Sequence, residues 1–333
     1  KRSGDEFVIL YEYIENETEL NKYIDEVFSV INKEYYISNI RTNVSISMGV
    51  SLYPDNGLTY TELFKCADIA LQRAKEEGRN RVKYFNNSMR NEIYEIISIE
   101  NDLKGAIENN EFVLYYQPQY NIKTGELYGF EALIRWLSPR KGFVQPNKFI
   151  PQAEKNQLII PIGKFAFTST CNFIKELVSR GYDDLCISVN VSVVQIMCDD
   201  FVDFVLNTIR EKNVNPKNIK LELTESVLIK SIDETVEKIN ILNRHGIKFS
   251  LDDFGTGYSS LSYLKQIPID VLKIDKSFTD TISEKNTNKE ILSLILNLAK
   301  CINLSVVAEG IEDEKQLNWL NSKGCDIGQG FYI

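Results

Sequence analysis

From residue 111 onward the sequence predicts a closed α/β barrel of eight strands, preceded by a smaller, partial α+β domain. Three observations carry this. Apolar runs of strand length alternate with helix-length amphipathic segments, the pattern of helices packed around a parallel sheet. Eight such runs fall near 112–120, 127–136, 185–191, 219–225, 248–253, 271–275, 304–309 and 326–332, the number a barrel of this kind needs to close. Several of them end on an acidic or amide side chain, at the end where such barrels build their sites.

Composition sets the outer limits. The chain of 333 residues is 43% apolar and 26% charged, ordinary for a globular protein and long enough for two domains. No run approaches the ~18 uninterrupted apolar residues of a membrane span, and Lys-Arg-Ser-Gly-Asp-Glu at the start does not read as a signal peptide. Six cysteines show no C-x-x-C spacing, so buried free thiols in a reducing, cytoplasmic setting are expected. An upstream region could still tether the full-length protein to a membrane. The formal charge of −9 argues against genomic DNA as a partner, whereas a small anionic ligand could be held by metals and arginines.

Taken in order, a polar turn at Arg2-Ser-Gly-Asp-Glu feeds a strand at Phe7-Val-Ile-Leu-Tyr. Residues 17–32 read as a helix with Leu20, Ile24, Val27, Phe28 and Ile31 on one face, and Val44 to Tyr53 alternates as a strand. A second amphipathic helix over 60–77 is stopped at Gly78, and Val82 to Phe85 forms a last short strand. Residues 88–110 read as a helical connector, with Ile93, Ile96, Ile97, Leu103 and Ile107 at spacings one helix face would bury. Within the barrel, a helix at about 160–180 should bury Phe165, Phe167, Cys171, Ile174, Leu177 and Val178 before Gly181 ends it. Another, at 287–303, is strongly apolar.

The chemistry sits at the strand ends. Glu131 closes Tyr-Gly-Phe-Glu, Asn190 closes Ile-Ser-Val-Asn, and Glu222 lies in Leu-Glu-Leu-Thr-Glu. Asp252 and Asp253 follow Phe-Ser-Leu, Lys273 lies in Leu-Lys-Ile-Asp, and Glu309 ends Val-Val-Ala-Glu. One acidic strand end is weak evidence, because turns and helix N-caps also favour Asp and Asn. Oxygen ligands from five strands together with a lysine are harder to explain as capping. Adjacent residues on a strand face opposite ways, so Asp252 and Asp253 share a focus only if the strand is ending there. Oxygen donors without His or Cys select Mg²⁺ or Mn²⁺ rather than Zn²⁺. The only histidine, His245, sits before Gly246 at a helix end.

Two resemblances follow. Ser3-Gly4-Asp5-Glu6-Phe7, the segment from Ser47 to Pro54, Ala67-Asp68 and the segment from Ala74 to Arg81 resemble the C-terminal half of the GGDEF diguanylate cyclase family. The resemblance implies a partial domain at 1–86, a helical connector at 87–110 and a second domain at 111–333. Ser3 stands where that family has glycine, and its upstream metal-binding strand is absent, which implies a degenerate, regulatory or structural domain. GTP binding at this half stays open.

From about Phe112, Tyr116-Gln117-Pro118, Glu131-Ala132-Leu133, Phe149 to Glu154, Asn190-Val-Ser192, Glu222 to Glu225, Asp252 to Leu261, Leu272 to Asp275, Ala308-Glu309-Gly310 and Gln329-Gly330 resemble the EAL family of cyclic-di-GMP phosphodiesterases. That resemblance implies a TIM-like (β/α)8 barrel with an antiparallel first strand, hydrolysing cyclic di-GMP to linear pGpG with water activated by two metals. It implies metal ligands at Glu131, Asn190, Glu222, Asp252 and Asp253, with Lys273 and Glu309 orienting and deprotonating the water. Gln117, Arg135 and Gln329 match substrate-contacting positions, and a homodimer through this domain is implied. Glu225, three residues beyond Glu222, is expected to brace the Gly255-Thr256-Gly257 turn and so act on catalysis through Asp252 and Asp253. The alternative is a catalytically silent cyclic-di-GMP receptor using the same pocket.

Overall fold

The computed structural model describes residues 4–225, 232–255, 264, 266–282 and 288–333. It divides into two compact units, Lys1–Ile97 and Ser98–Ile333.

In the first unit, helix Glu17–Ile31 buries Leu20 and Ile24, part of the face expected from its spacing. A hairpin not anticipated from the sequence follows, β1 (Glu34–Ile37) with β2 (Ile40–Asn43), and then β3 (Met48–Val50), only the middle of the expected strand. Helix Tyr60–Glu76 begins at a reciprocal cap: the Thr59 hydroxyl accepts from the Glu62 backbone and the Glu62 carboxylate from that of Thr59, which satisfies two otherwise unpaired helix-end donors. β4 (Val82–Tyr84) pairs parallel with β3. Phe7 to Tyr11 form no strand, and Phe7, Val8, Ile9 and Leu10 are exposed. A strand exists only through its ladder, and no partner for this stretch stands among the described residues.

The second unit is the barrel. Its strands are β5 (Phe112–Asn121), β6 (Leu127–Ser138), β7 (Gly142–Val144), β8 (Cys186–Val191), β9 (Ile219–Thr224), β10 (Lys248–Phe254), β11 (Val271–Ile274), β12 (Ser305–Ala308) and β13 (Ile327–Gly328). They run in the order β5-β13-β12-β11-β10-β9-β8-β6-β7, and β5 also pairs with β6, so eight strands close and β7 hangs on β6 as a hairpin. β5 is antiparallel to both neighbours, and the pairs from β6 and β8 through to β12 and β13 are parallel. Buried on both faces, the central strands read as near-continuous apolar runs broken only by the polar residues that face the interior.

Helix Ile159–Ser179 packs on the barrel through Phe167, Cys171 and Ile174. Val178 is 42% exposed, against expectation. The buried stripe passes through Leu177 instead, and the next residue lies about 100° round the helix. Ile99, Leu103 and Ala106, from the later turns of helix Asn87–Ala106, pack with Phe112, Trp136 and Phe149 in a second core cluster.

Candidate active site

Residues paired in a ladder share a face, so the register assembles the site. Gln117 on β5 is opposite Glu131 on β6, Asn190 on β8 opposite Glu222 on β9, and Thr224 opposite Asp252 on β10. Lys273 lies in β11, while Glu309 and Gln329 directly follow β12 and β13. The structure thus gathers side chains that are up to 212 residues apart in sequence.

Lys273 is at the centre. Its Nζ lies 2.6 Å from Glu222 Oε2, 2.7 Å from Glu309 Oε1, 3.0 Å from Asp252 Oδ2 and 3.4 Å from Glu131 Oε2. An ammonium has three donors, so four carboxylates exceed what it can satisfy. Glu131 is held from two further sides: Oε1 accepts from Asn190 Nδ2 and Oε2 from Gln329 Nε2, both at 2.7 Å. Gln329 Nε2 also donates to Gln117 Oε1 at 3.0 Å, and its Oε1 accepts from Gln119 Nε2 at 2.8 Å. Gln119, fully buried, escaped the sequence reading. Its place two residues beyond Gln117 on one strand, hence on the same face, was the available signal.

Asp253 corrects the geometric expectation. The strand does not end at the aspartate pair but continues to Phe254, with its register shifting between Leu251 and Phe254. Asp253 takes a left-handed backbone, φ 56°, at this irregularity, and the acidic group formed by Glu131, Glu222 and Asp252 does not include it. Gly255 follows at φ 95°, where an added Cβ would stand 2.7 Å from the Phe278 ring.

Burial governs the electrostatics. It pushes the Glu222 carboxyl up to about 7, with Lys273 and, more weakly, Lys220 pulling the other way. It likewise pushes Glu309 up to about 8 and raises Asp253, where Asp252 adds repulsion. At Glu131 burial is outweighed by Lys273, Gln329 and Asn190, and the group ends below its ordinary value. Burial would lower Lys273, but Glu222, Glu131, Asp252 and Glu309 hold it well above the usual lysine range.

Oxygen atoms of Glu131, Glu222 and Asp252 come within 4.8 Å of one another. The set fits hard divalent cations: the donors are carboxylate and amide oxygens, and Glu222 Oε1 is a buried acceptor with no hydrogen-bond partner among the described residues. Charge points the same way, since Glu131, Glu222, Asp252 and Glu309 share the ammonium of Lys273. Asn190 is exposed, which leaves the cluster open on that side.

Two candidates stand apart. Arg135 lies four residues beyond Glu131 on β6, about 13 Å along the strand; its Nη1 donates to the Ile134 carbonyl at 2.9 Å and its guanidinium stacks 5.7 Å from the Tyr115 ring centre. Glu225 is buried just past β9. Of its expected partners, Thr256 and Gly257 lie outside the described residues.

The EAL domain profile matches residues 100–333, and that of the diguanylate cyclase GGDEF domain matches residues 1–81. The chain is 37% identical over 330 residues to the bifunctional diguanylate cyclase/cyclic di-GMP phosphodiesterase MucR of Pseudomonas aeruginosa, covering 99% of this chain and 48% of that protein. It is 32% identical to the cyclic di-GMP phosphodiesterase NbdA of the same organism, covering 99% and 42%. The chain therefore spans about half or less of the length of these curated relatives. Among solved structures, the MucR phosphodiesterase in complex with c-di-GMP superposes with a TM-score of 0.68 at 38% identity, over 70% of this chain and 95% of that one. With its own barrel and strand-end carboxylates in place, the chain belongs to the EAL domain family and carries a GGDEF region ahead of the barrel.

Proposed function

We propose that this chain hydrolyses one phosphodiester bond of cyclic di-GMP, releasing linear pGpG, and that it depends on divalent metal. The observation that carries this reading is the buried, all-oxygen carboxylate cluster gathered around Lys273 at the strand ends. The names of MucR and NbdA and the ligand in the MucR complex supply the substrate.

Glu131, Asn190, Glu222, Asp252 and Asp253 would hold two Mg²⁺ or Mn²⁺ ions. Bound there, such ions supply an activated water and neutralise charge on the phosphoryl oxygens. Lys273 Nζ would orient the attacking water, and the Glu309 carboxylate beside it would receive its proton. Gln117 and Gln329 present amides to the ligand beside Glu131, and Arg135 offers a planar fork to a phosphate. Residues 1–86 act as a degenerate regulatory domain with GTP as a candidate ligand, residues 87–110 as a connector to the barrel domain at 111–333, and the barrel as the dimerising part. No described helix is long and apolar enough to cross a membrane; a cytoplasmic site of action belongs to the same proposal.

The test is incubation with cyclic di-GMP and Mg²⁺ or Mn²⁺, followed by separation of pGpG from substrate. Product that disappears on chelation is expected. Tight binding without turnover would instead establish a silent receptor.

A pH prediction follows from the carboxylates. Glu222 and Glu309 have folded-state values raised above their unfolded ones, so the folded chain binds these protons more tightly. Their contribution to stability is complete below the ordinary carboxylate range and is lost as pH rises through about 7 and 8. Metal-free protein should therefore unfold at lower urea at pH 8 than at pH 5.5, and saturating Mg²⁺ should remove most of the difference. A flat metal-free profile over that window would contradict the assigned electrostatics.

A further inference from the structure

Beneath the carboxylates the barrel holds a second buried lysine. Lys220 lies on β9 two residues before Glu222, about 6.6 Å along the strand and on the same interior face. It is fully buried, its Nζ has no hydrogen-bond partner among the described residues, and it stands 5.4 Å from the centre of the Tyr128 ring. Its neighbour in register on β8 is Ser188, whose Oγ, like that of Ser250 on β10, is buried with no hydrogen-bond partner among the described residues. Tyr128 in turn packs with Val271, Val307 and Ile327.

An unpaired ammonium in a barrel interior is strongly unfavourable unless charge of the opposite sign lies nearby. Packing alone would be served by methionine. Charge of the opposite sign is offered by Glu222, two residues along the strand on the same face, whose ionised form Lys220 in turn favours. The two lysines differ in one respect. Lys273 touches the carboxylate oxygens, whereas Lys220 touches none of them and can keep its place when cations bind.

We infer that Lys220 is a positioning residue for the centre: its side chain, set beneath Glu222, steadies the cation-free carboxylates and weakens the binding of divalent cations. The inference rests on the metal-dependent reading above. A unit charge acting on a divalent ion across roughly 10 Å at an effective dielectric of about 20 corresponds to on the order of a hundredfold in affinity, which screening at the open side of the cluster reduces to about tenfold.

The experiment compares wild type, K220M and K220R, measuring Mg²⁺ and Mn²⁺ affinity by calorimetry at one pH and urea unfolding with and without Mg²⁺. K220M is expected to bind metal about tenfold more tightly than wild type. Without metal it should unfold at lower urea, and the gap should close at saturating Mg²⁺. K220R, which keeps the charge, should retain wild-type affinity. Unchanged affinity in K220M, with equal destabilisation in both states, would reduce Lys220 to packing and overturn the inference while leaving the metal reading intact. Failure of the wild type itself to bind either metal would overturn both. K220Q, which keeps a polar tip without the charge, answers the same question should K220M not fold.

Discussion

Glu222→Gln is expected to abolish turnover while making the metal-free protein more stable. Glu222 is wholly buried, one oxygen lies 2.6 Å from Lys273 Nζ, and the other has no hydrogen-bond partner among the described residues. The substitution keeps size and shape but removes a charged ligand from the heart of the proposed centre. Loss of an outer partner of a metal ligand commonly costs about 10–100-fold, so loss of the ligand itself should exceed about a hundredfold in kcat/KM. Stability should move the other way. The carboxyl is pushed up to about 7 by burial, so above that pH its ionised form opposes folding. A neutral amide relieves this by something on the order of 1–3 kcal/mol. Urea unfolding of metal-free protein at pH 8 and turnover with Mn²⁺ are the two measurements. Wild-type turnover would remove Glu222 from the metal set, and a large loss of metal-free stability would make its role structural.

The opposition of these effects also explains why the clustered residues stand out in the sequence. Polar residues that face a barrel interior conflict with burial, and Glu131, Asn190, Glu222, Asp252, Lys273 and Glu309 stand out as interruptions of strand-length apolar runs. The strands were legible for the same reason: enclosed on both faces, they are almost continuously apolar. Signals that depend on partners distant in sequence were not legible. Gln119 looks like any strand glutamine until its amide is placed on Gln329. The left-handed Asp253 has no sequence mark beyond the glycine two residues on. Hairpin β1–β2 and the β7 extension are short and lack sustained alternation, so periodicity is silent about them. Phe7 to Tyr11 has the residues of a strand but no ladder among the described residues, because β propensity describes fit to a sheet and does not supply one.

Lys273→Met should produce the converse result, a protein whose fold Mg²⁺ can restore and whose chemistry it cannot. The ammonium contacts Glu222, Glu309, Asp252 and Glu131 and is fully buried. Its folded-state value is raised well above the ordinary lysine value, so its stabilising contribution is present in full below that ordinary value and is lost only as pH rises through the folded one. At pH 8, removing one partner of a buried ionic cluster leaves the others uncompensated, which typically costs about 3–5 kcal/mol. The loss should shrink at pH 5.5, where Glu222 and Glu309, pushed up to about 7 and about 8, are already protonated. Divalent cations can take over the neutralising role, so saturating Mg²⁺ should return most of the lost stability. Turnover should still lie more than about a hundredfold below wild type, because a cation held by the carboxylates does not replace a donor aimed at the attacking water. Urea unfolding at both pH values, with and without Mg²⁺, and kcat at saturating metal separate the two roles. If Lys273→Met recovers wild-type kcat once Mg²⁺ has restored its fold, the lysine is a counter-ion alone, and orientation of the water must be assigned to Glu309 or to another neighbour.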